Sequence, residues 1–265
     1  GVIGLGRMAR ALVEPLLQRG ELNPEALIAV VGRSASIEPL SRQLPSGVHL
    51  FSADAEAARQ VWAAPLQLLA IKPQQLDALA AEAPTVADQP LLISVLAGVS
   101  LARLQRLFPG HRCVRAVPNT PALVGAGLTA LAWGDGISSE SRIRVRHLFA
   151  AVSEVLELPE PKLDAFLALT SSGPAFVAVV AEAMADGAVA AGLSRDQALH
   201  LTHRTLAGSA ALLQDRQLHP AQLKDMVSSP GGTTIAGLRR LEQAGLRSAL
   251  IEAVLAAAER SRELA

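Results

Sequence analysis

The residues best suited to chemistry fall in four short segments rich in glycine, proline or hydroxyls, not in a cluster of acids, bases or thiols. The first is Gly4-Leu5-Gly6-Arg7-Met8-Ala9, a G-x-G-x-x-A sequence after an apolar run. Gly4 permits a tight turn, and Gly6 lets the backbone approach a pyrophosphate. Ala9 lets a helix pack closely on a strand, with the helix N-terminus facing the anion. Alone these letters could be a glycine-rich turn of no consequence; closing the first strand of a βαβ pattern they read as a dinucleotide site. The second segment is Gly32-Arg33-Ser34, where an NAD site would place Asp or Glu against the ribose 2′-hydroxyl. Arg33 offers a charged planar fork for a phosphate and Ser34 a hydroxyl, so NADP(H) is preferred, with NAD(H) still admissible. A solvated surface arginine is the competing reading.

The third is Leu69-Ala70-Ile71-Lys72-Pro73, which ends a strand and places Lys72 and Pro73 beside the inner half of the cofactor, because ligands of open α/β sheets sit outside the strands' carboxyl ends. Pro118-Asn119-Thr120-Pro121 has the same status, as a rigid loop that could wall the nicotinamide. A structural turn competes in both cases. The fourth is Ser228-Ser229-Pro230-Gly231-Gly232-Thr233-Thr234, ahead of the helical run 235–241. Hydroxyls stand where an N-cap belongs, and free N–H groups at a helix start hold anions, which in a second domain points to a substrate carboxylate; an ordinary helix cap is the competing reading, and it would need only one Ser or Thr.

The elements that must position these segments follow from hydropathy. Apolar runs at 1–5, 27–31, 66–71, 91–96, 113–117, 128–133 and 152–158 alternate with helical stretches. Continuous apolar runs between helices indicate a parallel sheet buried on both faces, the doubly wound α/β plan. Pro15 should kink or shorten the first helix. After Pro159 and Pro161 the strand signal stops. Gly173-Pro174 opens a long apolar helix, Gly192 ends it, Ser194 to Gln197 forms a capping box, and His219-Pro220 starts a short helix. The expected organisation is a Rossmann domain over 1–159 and an all-α domain over 160–265. The helical half is apolar on too many faces for a solvated bundle, so a partner subunit should cover it.

Composition narrows the class. The chain has 265 residues, half of them apolar, and 24 Lys plus Arg balance 24 Asp plus Glu, which argues against nucleic-acid or anionic-membrane partners. One cysteine, Cys113, points to a reducing cytoplasmic setting. The chain opens at Gly1 without a Met, so it reads as lacking its first few residues, and no leader is visible. The apolar run 175–193 is interrupted by Glu182 and Asp186 and reads as a buried helix, not a membrane span. Asp186 on it reads as a buried hydrogen-bonding or interface residue. There is no Tyr, which excludes a Tyr-Lys reductase, and no zinc-ligand spacing; His200 and His203 lack a third ligand.

Taken together, these motifs resemble those of the pyrroline-5-carboxylate reductases, over essentially the whole chain. The most specific stretch is 219–225 (HPAQLKD) followed by 228–237. Leu69–Pro73, Ser94–Ser100 (SVLAGVS), Asn119–Gly125 (NTPALVG) and Ser172–Phe176 (SGPAF) are also similar. The resemblance implies a Rossmann domain followed by a helical dimerisation domain, active sites shared between subunits, and reduction of Δ1-pyrroline-5-carboxylate to proline by NADPH or NADH. It implies a homodimer, with further assembly of dimers left open. It implies that Thr234 hydrogen-bonds the ring nitrogen while Gly232, Thr233 and Ser229 hold the carboxylate. The expected cofactor contacts are Ile3, Gly4, Leu5, Gly6, Arg7, Met8, Arg33, Ser34, Asp54, Ala70, Ile71, Lys72, Pro73, Ala97 and Asn119. A protonated imine is already electrophilic, so the absence of an acid–base dyad fits, and the site need only orient and bind. Three positions depart from the family pattern: Phe176 where Tyr is frequent, Met226 where a polar residue is usual, and Thr170-Ser171-Ser172 where a glycine-containing helix start is expected.

Three rivals remain. A β-hydroxyacid dehydrogenase would carry a lysine on the first long helix of the second domain, and 172–193 has none. A related reductase acting on a different cyclic imine is harder to reject. A non-catalytic NADP sensor would have no need of the 229–234 loop.

Overall fold

The computed structural model describes residues 1–264. The chain divides into two compact units, residues 1–171 with 257 onward, and residues 172–256.

The first unit is built on a sheet of β1 (Val2–Ile3), β2 (Ile28–Val31), β3 (His49–Ser52), β4 (Leu66–Leu69), β5 (Leu91–Ser94), β6 (Arg112–Pro118), β7 (Gly127–Trp133) and β8 (Ser153–Glu157). Between strands run α1 (Arg7–Gln18), α2 (Ile37–Ser41), α3 (Leu76–Glu82), α4 (Leu101–Leu107) and α5 (Ser139–Ala150), and α6 (Leu163–Thr170) follows β8. The strand order is β3-β2-β1-β4-β5-β6-β7-β8. Ile3 of β1 is in register with Val30 of β2 on one side and Leu69 of β4 on the other. The chain therefore winds outward from β1, returns, and winds out the other way, and the crevice where it reverses is where such sheets bind ligands.

Alternate residues of each strand enter opposite faces, as a period of two requires. Val2, Ala29, Leu68, Ile93 and Val114 join one buried cluster with α1 and α5. Ile3, Val30, Leu69, Leu92 and Cys113 join another with Trp62, Phe108 and Leu163. Complete burial of an aliphatic side chain such as Leu69 or Leu92 contributes about 1.5–3 kcal/mol.

Three details differ from the sequence expectation. The sheet is not wholly parallel, because β6 and β7 pair antiparallel, Ala116 opposite Leu131. The link 119–126 between them is shorter than the dozen or so residues a parallel crossover requires. The strand β3 is additional to the expected apolar runs: it is four residues long, lies at the sheet edge, and exposes His49. Pro15 does not end α1 where it stands; the helix continues to Gln18.

The second unit holds α7 (Gly173–Ala190), α8 (Arg195–Asp215), α9 (Pro220–Met226), α10 (Thr233–Gln243) and most of α11 (Leu246–Glu263). The expected punctuation holds. Ser194 caps α8 by accepting from the Gln197 N–H, and the His219 side chain accepts from the Ala221 N–H at the start of α9. The expected burial of α7 does not hold within one chain: only Ala185 on it is buried, while Val177, Val179 and Met184 are exposed. Apolar residues surround this helix, and α8, packed through Ala198 and Thr202, covers one side only. Asp186, expected buried or at an interface, is exposed and pairs with Arg195.

Candidate functional site

At the crevice beyond β1, β2 and β4 lies an open cleft of about 1160 Å³. Gly4 turns the chain out of β1 with φ +94°, and the Gly4 and Leu5 N–H groups both donate to the Val30 carbonyl, 3.0 and 3.1 Å. Gly6 then starts α1 with no side-chain cap and no acidic residue in the first turn. Its first N–H groups have no helical acceptor, which leaves them for an anion with the helix dipole behind them. A Cβ on Gly6 would meet nothing within 4 Å, so the space above this backbone is open to a ligand. The residues present therefore fit a dinucleotide pyrophosphate.

The cleft brings together Ile3, Gly4, Leu5, Gly6, Arg33, Ala70, Ile71 and Lys72 from the expected contacts. Arg33 follows β2 in extended conformation and its side chain is exposed on the wall. Lys72 lies on the opposite side, after β4, where its N–H donates to Gln75 Oε1 at 3.2 Å. Arg7, Ser34 and Pro73 are not on the wall but each adjoins a wall residue in sequence, Met8 lies two residues from Gly6 and from Arg10, and Asp54 lines an adjoining recess that shares Ile3, Val30 and Ala53. Ala97 is exposed beyond β5. Asn119 is buried, its Nδ2 donating to the Thr170 carbonyl at 3.0 Å and its Oδ1 accepting from the Leu128 N–H at 2.8 Å. That side chain pins the start of β7 and the end of α6, with one N–H of its amide still unassigned.

The sequence reading missed six polar residues on the cleft wall: Arg10, Ser36, Gln43, Gln74, Gln75 and Glu82. Arg10 was legible as an i, i+4 partner of Glu14, and it stands one turn beyond Gly6. Gln43 was not, because only the fold carries it across to α1.

In the second unit, Gly231 adopts φ +68° and Gly232 is the N-cap of α10. The expectation of a hydroxyl cap is not met. A Cβ at Gly232 would lie 2.5 Å from Ser229 Oγ, so a side chain here would require the Ser229 hydroxyl to rotate away. The consequence favours binding: without a side-chain cap, the first N–H groups of α10, those of Thr233 and Thr234 included, remain available. Met226 is exposed shortly before this loop. Of the other departures, Thr170 Oγ1 donates to the Phe166 carbonyl and Ser171 Oγ to the Pro118 carbonyl, so these hydroxyls tie the end of α6.

Residues 160–264 match the pyrroline-5-carboxylate reductase dimerisation family, and residues 1–98 match the coenzyme F420-dependent NADP oxidoreductases. A pyrroline-5-carboxylate reductase of Synechocystis sp. is 46% identical over 264 residues, spanning 100% of this chain and 97% of that protein.

The chain belongs to the pyrroline-5-carboxylate reductase family.

A Thermus thermophilus family member is 43% identical, with 99% of this chain and 97% of the relative covered. A Plasmodium falciparum pyrroline carboxylate reductase, solved with NADP bound, superimposes with a TM-score of 0.88 at 26% identity, over 100% of this chain and 97% of that one. The Streptococcus pyogenes reductase does so with a TM-score of 0.88 at 29% identity, over 99% and 97%. The Rossmann-then-helical plan expected from the sequence is thus the plan of the family.

Proposed function

We propose that this protein reduces Δ1-pyrroline-5-carboxylate to proline, the last step of proline biosynthesis, with NADPH preferred as donor. The observation that carries this reading is the full-length identity of 46% to a pyrroline-5-carboxylate reductase. Ile3 to Met8, Arg33, Ser34 and the residues around Lys72 hold the coenzyme. Cofactor binding is assigned to 1–159, and substrate binding and dimerisation to 160–265.

Bound NADPH supplies a hydride to the imine carbon. The protein's own residues bind and orient. The uncapped backbone of Gly232 and Thr233, with Ser229, receives the substrate carboxylate, as helix starts receive anions. The Thr234 hydroxyl accepts from the protonated ring nitrogen and fixes which face of the ring is presented. The imine arrives carrying its proton on nitrogen, so the transferred electron pair completes the C–H bond while the C=N π pair becomes the amine lone pair. No side-chain acid is needed for that step, which fits a loop without an adjacent base.

A homodimer in the cytoplasm is part of the same reading. The exposed Val177, Val179, Leu201 and Leu255 form the kind of apolar surface that a second copy covers. The reading is tested by following NADPH absorbance with pyrroline-5-carboxylate: turnover to proline is expected, and no turnover with that imine but turnover with another would overturn the substrate.

A further inference from the structure

Arg10 sits one helical turn past Gly6 and lines the coenzyme cleft together with Arg33, Ser36 and Gln43. Its guanidinium is held from two sides. One Nη donates to Gln43 Oε1 at 2.7 Å, and Nε donates to Glu14. A guanidinium has five N–H donors, so these two partners fix its plane and leave other donors for a ligand. Gln43 lies just after α2, and α2 continues from the turn that Arg33 opens. The Arg10–Gln43 bond therefore spans from the pyrophosphate helix to the segment after β2, where an open α/β sheet receives the ribose nearest the adenine.

We propose that Arg10, positioned by Gln43 and Glu14, is a second cation for the coenzyme's 2′-phosphate and shares with Arg33 the selection of NADPH over NADH. This rests on the reading of the cleft as an NADP(H) site. The charge balance favours it. A phosphate monoester carries about −1.5 to −2 charges at neutral pH, and Arg33 alone supplies one positive charge. Lys72 stands on the β4 side of the cleft, and Glu82 on the same lining is negative. Arg10 is the remaining cation on the wall that carries Arg33. Its side chain is 31% exposed, so it is partly desolvated and already ordered, which lowers the entropic cost of engaging a phosphate. The competing role is a staple that merely joins α1 to the segment after α2.

Binding of NADPH, NADH, 2′,5′-ADP and 5′-AMP to the full-length protein separates the two roles, measured by calorimetry on wild type, Arg10→Met, Arg10→Lys, Gln43→Ala and Arg33→Ala. Thermal melting without ligand checks that each variant is folded. Arg10→Met should weaken NADPH and 2′,5′-ADP by about 10-fold, the loss expected for one charge-assisted hydrogen bond, and change NADH and 5′-AMP less than about twofold. Arg10→Lys should fall between, and Gln43→Ala should weaken the same two phosphorylated ligands by a smaller factor. Equal losses on all four ligands would make Arg10 a staple, and no loss on any would remove it from the site. If Arg33→Ala loses phosphorylated ligands selectively while Arg10→Met does not, the cleft reading stands and this inference fails. If wild type binds 2′,5′-ADP no better than 5′-AMP, the NADP(H) reading itself fails.

Discussion

A Cβ placed on Gly4 would lie 2.8 Å from the carbonyl carbon and oxygen of Ala70, the residue that follows β4. The fingerprint's first glycine is thus fixed by a neighbouring strand as well as by its turn. Its second, Gly6, faces open space. Two residues of one motif answer to different demands, packing in one case and ligand approach in the other.

The two substitutions should separate accordingly. Gly4→Ala places a side chain at φ +94°, a backbone strain of about 1–3 kcal/mol, with crowding against Ala70 adding a comparable ~1–3 kcal/mol. Gly6→Ala should leave the unliganded melting temperature nearly unchanged and weaken coenzyme binding. Similar losses of unliganded stability in both variants would show that the space over Gly6 is not what it serves.

His111 sets a pH dependence. Gln67 Nε2 donates to the Trp62 and Ala64 carbonyls, so its Oε1 faces His111 Nε2 at 3.1 Å, and the imidazole must carry its proton there. Nδ1 is buried without a partner, and burial holds the imidazole pKa below its ordinary value. A base whose folded pKa is depressed binds fewer protons folded than unfolded. Its contribution is complete above the unfolded value of about 6.5 and is lost as pH falls from there through the folded pKa. The melting temperature should therefore drop between pH 7.5 and 5.5, and His111→Gln should flatten that slope. An unchanged slope in the variant would assign the effect to other groups.

Thr234 should orient and not transfer a proton. Thr234→Ala should lower kcat/KM by roughly one to two orders of magnitude, about one good hydrogen bond to a charged group. It should leave NADPH affinity close to wild type, and Thr234→Ser should retain most activity. An alanine variant with wild-type efficiency would move the nitrogen contact elsewhere.

Much of this was legible from residue types and spacing. Gly4 and Gly6, Arg33 and the punctuation at Gly173, Ser194 and His219 act locally, through turns, caps and short-range patterns, and local signals survive in sequence. What was not legible depends on the fold. The pairing of β7 against β6 follows from a short link whose consequence is topological. Gly232, and not a hydroxyl residue, is the cap of α10, and it sits close over Ser229. Asn119, expected beside the nicotinamide on its place in a rigid loop, turns its amide to Leu128 and Thr170, partners 9 and 51 residues away. Arg10 meets Gln43 across 33 residues, which spacing within one helix does not reveal.

The exposed apolar residues of α7 and α8 make a concentration-dependent prediction. Sedimentation should show a dimer at micromolar concentration, and Val179→Asp, placing a charge at a residue 67% exposed in the single chain, should shift it toward monomer. A folded wild-type monomer persisting at nanomolar concentration with no dimer at micromolar would contradict a dimer through the helical half.

Direct hydride delivery from a cleft-bound NADPH to the imine carbon leaves an isotopic signature in the product. Incubating the protein with pyrroline-5-carboxylate and NADPH deuterated on the transferred face of nicotinamide C4 tests it, with mass and NMR analysis of the proline. One deuterium is expected, on the ring carbon next to nitrogen and away from the carboxylate, in a single configuration. Proline without deuterium, or no proline at all, would rule out direct delivery from the coenzyme.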